Sequence, residues 1–207
     1  MTTDTDAGAT TAAPAPAPAP ILAIDVQYKD TPTSSTGYAA GVLFDSFSSA
    51  APTHTYTHTH ADAEPYVAGS FFKRELPPIR ALIAAAPVPP RTIVVDGFVD
   101  LVSEAGVKPG LGRRLFDELG GEVVVIGVAK NPFRTRAEGA PEEPEPGLNT
   151  HPGEVFRGSS GRALYVTAAG VSQEHAMELV RHMHGANRQP TMLKLVDREA
   201  RDAALRG

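Results

Sequence analysis

The order of apolar and polar residues predicts three consecutive strands in the first part of the chain. Residues 21–28 are apolar on both faces, as in a strand buried in the middle of a sheet. Residues 37–45 follow after a turn-rich stretch, and residues 53–60 alternate strictly, which is typical of an edge strand. Strands that follow one another with only turns between them predict an antiparallel meander.

Helices and strands alternate in the rest of the chain. Pro77 and Pro78 predict the start of a helix, because the first helical turn needs no N–H donor. The other predicted elements are strands at residues 92–96 and 122–128, a helix at 111–119 between them, and hairpin strands at 154–157 and 163–167. Two further helices are predicted, one capped by Ser172 and running to Gly185, and a last one capped by Thr191. A meander followed by strand–helix alternation predicts an α/β fold, with a mixed central sheet flanked by helices.

Two segments differ from this pattern. Residues 1–20 are rich in threonine, alanine and alternating proline and have little apolar surface to bury, so they predict a disordered tail. Residues 131–153 combine four glutamates with prolines and glycines and predict a long surface loop. The sequence therefore predicts one folded domain at residues 21–207.

Composition and charge exclude several classes of protein. The 207 residues include 24 acidic and 19 basic ones, and the net charge of −5 argues against binding by bulk positive charge. The absence of cysteine excludes disulfides, a thiol nucleophile and a thiolate metal site. No apolar run approaches membrane-spanning length, and no signal-peptide pattern is present. We therefore expect a soluble, cytoplasmic protein with no membrane partner, and a monomer.

Acidic residues occupy the ends of predicted buried elements. Asp25 interrupts an apolar strand, and a buried carboxylate is costly unless it is paired or binds a cation. Asp96 ends the next buried strand, at the sheet edge where ligand sites commonly form, and Glu75 lies close enough to the predicted helix to reach both. Three carboxylates without histidine or cysteine suit a hard cation such as Mg²⁺ or Mn²⁺. Lys130 follows a third buried strand as counter-charge, where it could stabilise developing negative charge.

The same acidic residues also have a structural interpretation. An aspartate before a glycine, as in Asp96 and Gly97, is common in turns. A glutamate near a helix N-terminus, as predicted for Glu75, interacts favourably with the helix dipole. The pattern alone leaves open a metal site and a globular domain whose acidic residues are structural.

Four short motifs occur in a recognisable order. They are AIDVQY with Asp25, PYVAGSFFKRELP with Tyr66 and Glu75, VVDG with Asp96, and VIGVAK with Lys130. Together they resemble the endonuclease V family, and RALYVTAAGVS at residues 162–172 resembles the late strand and following helix start of that family. The likeness extends from about residue 21 to the C-terminal helices and implies a ribonuclease H-like fold.

The resemblance also implies an activity. The family cleaves nucleic acid on the 3′ side of deoxyinosine or inosine, a DNA-repair reaction that uses Mg²⁺ or Mn²⁺. By position, Asp25, Glu75 and Asp96 are the expected metal ligands, and Lys130 matches the catalytic-site lysine. The expected partner is DNA or RNA.

Other matching positions imply contacts with the nucleic acid. Tyr66 corresponds to the tyrosine of the strand-separating wedge, where a planar side chain can fill the gap left by an extruded base. Gly69 allows a close backbone turn in the same motif. Arg74 and Gly97, which adjoin Glu75 and Asp96, complete the expected nucleic-acid-binding set.

The chain departs from the family pattern at positions outside the carboxylates. The wedge proline is replaced by Ala68, the family's His-Pro-Arg stretch after Gly97 is absent, and a late family histidine aligns with Ala169. These departures concern base recognition and catalytic support. The alternative function is therefore a non-catalytic nucleic-acid-binding module that keeps the fold and the carboxylates.

Basic residues flank the predicted site despite the negative total charge. They predict a local groove for phosphates, and the alternative is that each is a solvated surface residue. These basic residues are Lys73, Arg74, Lys108, Arg113, Arg114, Arg134, Arg136, Arg157 and Arg162.

Overall fold

The computed structural model describes residues 19–64, 71–103, 106–133 and 151–207. Its elements in chain order are β1 Ile21–Asp30, β2 Ser35–Phe44, β3 His54–His60, α1 Phe71–Ala84, β4 Thr92–Val95, β5 Asp100–Ser103, β6 Gly106–Pro109, α2 Leu111–Glu118, β7 Val124–Ala129, β8 Gly153–Phe156, β9 Ala163–Ala169, α3 Gln173–Arg181 and α4 Thr191–Arg206.

Seven of the described strands form one mixed sheet in the order β3-β2-β1-β4-β7-β9-β8. β1, β2 and β3 form the predicted antiparallel meander. β4 and β7 continue beside β1 in parallel, and β9 and β8 return antiparallel. The predicted mixed central sheet with flanking helices is confirmed, and the carboxyl ends of β1, β4 and β7 meet at one edge of the sheet.

Alternate residues of the central strands enter two separate cores. Ile21 and Ala23 belong to the core on the side of α3 and α4, whereas Leu22 and Ile24 belong to the core covered by α1 and α2. This division follows from the pleat, which directs successive side chains to opposite faces. The position of a residue along its strand therefore decides which pair of helices its side chain faces.

Pro77 and Pro78 lie inside α1, so the prediction that they begin the helix is wrong. Proline has no N–H, and Pro78 therefore cannot donate to the carbonyl of Arg74 four residues earlier. The hydroxyl of Tyr28, from β1, donates to that carbonyl instead at 2.9 Å. This tertiary hydrogen bond lets the helix start at Phe71, and it places Glu75 within the helix.

A hairpin of β5 and β6 between β4 and α2 was absent from the prediction. The chain reaches it by passing close over β7, where a Cβ on Gly127 would lie 2.6 Å from the carbonyl oxygen of Gly97. At the start of the hairpin, the fully buried carboxylate of Asp100 accepts hydrogen bonds of 2.9 and 2.7 Å from Arg113 of α2. Strands of four residues carry too short a pattern to be predicted.

The other predicted strands and helices are confirmed with small shifts of their ends. α3 ends at Arg181, before the predicted end near Gly185. The predicted tail at residues 1–20 and loop at 131–153 lie mostly outside the described residues, so both stay predictions. In the part of the chain that the structure describes, no helix is long and apolar enough to cross a membrane.

Candidate metal centre

The sheet register brings Asp25 and Asp96 side by side. β1 and β4 run parallel with Ile24 opposite Val95, so the next residue of each chain segment is an aspartate at the same level. Ala23 and Val94, two residues before the aspartates, belong to the core on the side of α3 and α4. Because side chains two apart in a strand point to the same face, both aspartates lie on the face of the sheet that α4 covers. The predicted proximity of these two residues is confirmed.

Asp197 of α4 joins them, and sequence reasoning missed it. Ligand oxygens of Asp25, Asp96 and Asp197 all lie within 4.8 Å of one another. The sequence does contain a pattern that could have indicated Asp197, namely a carboxylate on the apolar face of a helix. Asp197 is four residues after Leu193 and next to Val196, and both are buried in the core. The helix was correctly predicted, but its approach to the strand ends depends on tertiary packing.

The carboxyl group of Asp25 is only partly satisfied by the protein. One oxygen accepts a hydrogen bond from the backbone N–H of Val26 at 2.9 Å, and the other is buried with no partner among the residues that the structure describes. Burial, followed by the charge of Asp96, raises the pKa of Asp25 from 3.8 to about 6. A buried oxygen without a donor costs stability unless something binds to it.

Lys130 is the counter-charge of this cluster. Its ammonium group donates to Asp96 at 2.6 Å and approaches Asp197 at 3.4 Å. Burial by itself lowers the pKa of Lys130, but the hydrogen bond and charge of Asp96 outweigh burial and raise it. Lys130 thus stays charged. Arg201 of α4 pairs with Asp197 at 2.9 Å, so two cations face three carboxylates.

Glu75 lies on α1, in the core on the other side of the sheet from α4. It is not among the three acidic residues whose oxygens converge within 4.8 Å in the described structure. Its carboxyl group is buried, and burial together with the charges of Asp25 and Asp96 raises its pKa well above the usual value. Glu75 is therefore electrostatically part of the site, and its predicted role as a metal ligand stays a prediction.

The predicted nucleic-acid-binding residues have different surroundings. The Arg74 guanidinium is buried 3.8 Å from the centre of the Tyr28 ring and donates to Asp30 at 2.5 Å and Ser35 at 3.0 Å. Gly97 has a φ of 152°, a conformation that suits glycine. Tyr66 and Gly69 lie outside the described residues, and all four assignments stay predictions.

Arg134 and Arg136, which were predicted to join a phosphate groove, lie outside the described residues. Most of the other basic residues predicted there have partners within the protein. Arg113 pairs with Asp100, and Arg114 lies 3.7 Å from the centre of the Phe72 ring. The buried Arg157 donates to backbone carbonyls, including that of Gly185 at 2.9 Å. Arg162 is exposed.

The residues of the carboxylate site fit a hard divalent cation. The ligand atoms are oxygens only, and the three negative charges exceed the two positive charges of Lys130 and Arg201. One buried oxygen of Asp25 has no other partner among the described residues. Mg²⁺ and Mn²⁺ favour carboxylate oxygens of this kind.

Comparison with known proteins identifies the family. A model of the Endonuclease V family matches residues 9–198 of this chain. The chain belongs to the Endonuclease V family. Endonuclease V of Streptomyces avermitilis is 34% identical over 163 residues, which cover 73% of this chain and 61% of that relative. The chain thus matches less than two thirds of the length of that relative.

Solved Endonuclease V structures share the fold. The crystal structure of the Streptomyces avermitilis protein matches with a TM-score of 0.68 at 26% identity, covering 92% of this chain and 84% of the other. The Ciona intestinalis Endonuclease V, in complex with a 24mer DNA containing an inosine followed by a ribo-adenosine, matches with a TM-score of 0.70 at 17% identity, covering 90% and 86%. The predicted ribonuclease H-like fold is confirmed.

Proposed function

We propose that this Endonuclease V family member is a divalent-metal-dependent endonuclease that acts on DNA or RNA. It hydrolyses a phosphodiester bond on the 3′ side of deoxyinosine, inosine or a related lesion. The observation that carries the proposal is the convergence of Asp25, Asp96 and Asp197 at one sheet edge, with a buried Asp25 oxygen that has no partner. Family membership supports the reaction class, and the inosine-containing complex of the Ciona relative supports the substrate.

The acidic residues define where Mg²⁺ or Mn²⁺ would be held. Asp25, Asp96 and Asp197 supply the oxygen ligands, and Glu75 adds a buried carboxyl group close to them. A bound cation of this kind supplies Lewis-acid polarisation of a phosphoryl oxygen and lowers the pKa of a bound water. Asp25, whose pKa is raised by burial and by the charge of Asp96, would be held in its charged form by such a cation.

Lys130 provides the protein's own positive charge for the reaction. Its side chain is 35% exposed, so a phosphate oxygen at the mouth of the site lies within its reach. There it stabilises the negative charge that develops on the phosphoryl group in the transition state. The hydrogen bonds to Asp96 and Asp197 hold the ammonium group in this position before substrate arrives.

Recognition of the target base is assigned to the wedge motif. Tyr66 fills the space of the extruded base, and Gly69 allows the backbone to approach the strand. Ala68 stands where the family has proline, so the chain lacks that proline at this position.

A cleavage assay tests the proposal. Labelled DNA and RNA strands that contain one inosine, and matched strands with guanosine, are incubated with Mg²⁺, Mn²⁺ or EDTA. We expect cleavage of the inosine strands with either cation, and a loss of about 10³-fold in Asp25→Asn, Asp96→Asn and Asp197→Asn. The matched control is Asp45→Asn, an exposed aspartate after β2 at the opposite edge of the sheet. Unchanged cleavage in the three site variants contradicts the proposal.

One observation favours the non-catalytic alternative. Ala169, where the family has a histidine, is 2% exposed at the end of β9 and packs in the core covered by α1 and α2. No polar side chain replaces the missing group at that position. The alternative predicts that inosine-containing strands bind in Mg²⁺ or Mn²⁺ without being cut, and cleavage with either cation excludes it.

A further inference from the structure

A second, open groove lies beside the carboxylate site, on the hairpin of β8 and β9. Lys130 lines both, so the groove is continuous with the proposed catalytic centre. Its volume of about 440 Å³ lies within the range of about 300–1,000 Å³ that is usual for ligand clefts. The polar, charged and aromatic side chains that line it include those of Lys130, Asn131, Glu154, Phe156, Arg162 and Arg188.

Arg188 contributes a fixed positive charge to this groove. Its guanidinium donates to the backbone carbonyl of Lys130, and to that of Ala163 at 2.6 Å. These bonds hold the end of β7 against the start of β9. Burial and the nearby charge of Arg162 lower the pKa of Arg188, which shows that the two cations repel each other.

Arg162 is exposed at the same groove and is free to meet an anion. It donates one hydrogen bond, of 3.2 Å, to the side-chain oxygen of Asn131. Within the described part of the chain neither Arg162 nor Arg188 forms an ion pair, and Glu154 is the single acidic side chain among the lining residues. Lys130 is paired with Asp96, so the charge of the groove rests on the two arginines and the one carboxylate. Their sum is a net positive charge that is complementary to phosphate.

Phe156 adds an exposed aromatic surface to this positive groove. Its side chain is 59% exposed on the edge strand β8. Exposed aromatic rings next to arginine and lysine are the arrangement that binds single-stranded nucleic acid, because bases stack on the ring and phosphates meet the cations. Continuity with the carboxylate site makes a nucleic-acid strand the occupant that fits best.

We propose that this groove, here called the flank groove, binds the nucleotides that adjoin the scissile bond. Arg162 contacts a phosphate of the flanking nucleotides, and Phe156 stacks on one of their bases. Arg188 supports both contacts because it holds the end of β7 against the start of β9. The inference rests on the proposed function, because the strand reaches the flank groove from the carboxylate site.

Binding to strands of graded length tests the flank groove. Fluorescein-labelled single strands with one inosine are lengthened by zero to six nucleotides on the 5′ side in one series and on the 3′ side in the other. Fluorescence anisotropy in EDTA measures the dissociation constant of the full chain without cleavage. In one of the two series we expect the affinity of the wild-type protein to rise about ten-fold over the first few added nucleotides. In Phe156→Ser the same added nucleotides should raise the affinity by about two-fold or less.

Charge variants identify the phosphate contact. Arg162→Gln is expected to lose the length-dependent gain and to reduce the salt slope of log K by about 0.7, the value for one phosphate contact on a single strand. Glu154→Gln is expected to tighten binding. The matched control is Arg91→Gln, which removes an exposed charge before β4, at the end of the sheet away from Asp96.

Two results overturn the flank groove. One is a length-dependent gain that Phe156→Ser and Arg162→Gln both retain in full. The other is a change in the size-exclusion elution of Phe156→Ser without a change in binding, which assigns the exposed ring to contact with a second copy. Cleavage of the shortest substrate by the wild-type protein is measured in parallel in Mg²⁺. If the wild-type protein does not cleave it, the proposed function is contradicted. If cleavage is normal and the gain in affinity with length is absent, the flank groove alone is contradicted.

Discussion

Two regions of the molecule place aspartates out of water and balance their charge in opposite ways. Asp100 is fully buried, and each of its carboxylate oxygens accepts a hydrogen bond from Arg113. At the sheet edge, Asp96 and Asp197 share the ammonium group of Lys130, and Arg201 also pairs with Asp197. Asp25 lies beside them, and one of its oxygens has no donor among the described residues. The first arrangement is complete without a ligand, whereas the second is not.

The difference separates structural from functional burial of charge. A buried bidentate pair holds a hairpin against a helix, and its cost of desolvation is offset within the protein. An excess of negative charge raises carboxyl pKa values and destabilises the folded state until a cation binds. The unbalanced cluster is therefore the candidate site.

The largest effect on stability is expected from the balanced region. Arg113→Ala leaves Asp100 buried without the guanidinium and should lower the free energy of unfolding by about 3–5 kcal/mol. Urea denaturation measures this change. The control is Arg80→Ala, because Arg80 pairs with Glu118 on the surface, where an ion pair contributes about 0–1 kcal/mol. Equal losses in the two variants contradict the contrast.

Removing the cation that Asp96 and Asp197 share tests its catalytic use. Lys130→Gln should reduce single-turnover cleavage of an inosine-containing strand by about 10²-fold. The same variant should bind Mn²⁺ more tightly, because Lys130 no longer competes for the oxygens of Asp96 and Asp197. Calorimetric titration with Mn²⁺ measures the affinity. Weaker Mn²⁺ binding would show that Lys130 organises the carboxylates and does not oppose the cation.

Relieving the negative charge should stabilise the metal-free protein. In EDTA at neutral pH, Asp25→Asn is expected to raise the free energy of unfolding by about 1–2 kcal/mol. Because the folded-state pKa of Asp25 is raised from 3.8 to about 6, wild type should lose stability as the pH rises through this interval, and the two proteins should converge at lower pH. Thermal unfolding as a function of pH checks this, with Asp45→Asn as control.

Magnesium should reverse that order of stability. Wild type gains stability from a cation bound to the folded state, whereas the variant has lost a ligand. A variant that stays more stable than wild type in saturating Mg²⁺ contradicts a cation site at Asp25.

The smallest effect concerns the helix that carries Glu75. Tyr28→Phe removes the hydroxyl that donates to the carbonyl of Arg74 in α1 and should cost about 1 kcal/mol. Tyr56→Phe is the matched control, since the Tyr56 hydroxyl is buried without a partner and its removal should be neutral or stabilising. Chemical denaturation of both variants measures the difference, and a larger loss in Tyr56→Phe contradicts this account of the helix.

Much of the fold follows from local patterns in the amino-acid order. The apolar runs predict the meander and the parallel strands, because burial on both faces requires them. Asp25 and Asp96 stand out for the same reason, since one interrupts an apolar strand and the other directly follows one. Lys130 was found in this way too, as the charge that follows a third buried strand.

Other features depend on contacts between residues far apart in the chain. Proline in a helix is unfavourable locally, and α1 extends past Pro77 and Pro78 with support from Tyr28, on another element. The partner of Arg113 is equally invisible, because the short β5–β6 hairpin carries little pattern of its own.

The amino-acid order was therefore sufficient for the element types, the mixed sheet and two of the three converging aspartates. Tertiary structure alone decided that Asp197 completes the cluster and that Glu75 approaches from the opposite face of the sheet. The physical reason is that periodicity reports whether a side chain is buried, whereas the identity of its neighbours depends on how helices pack across the sheet. A metal centre built from a strand, a strand end and a distant helix is specified by that packing.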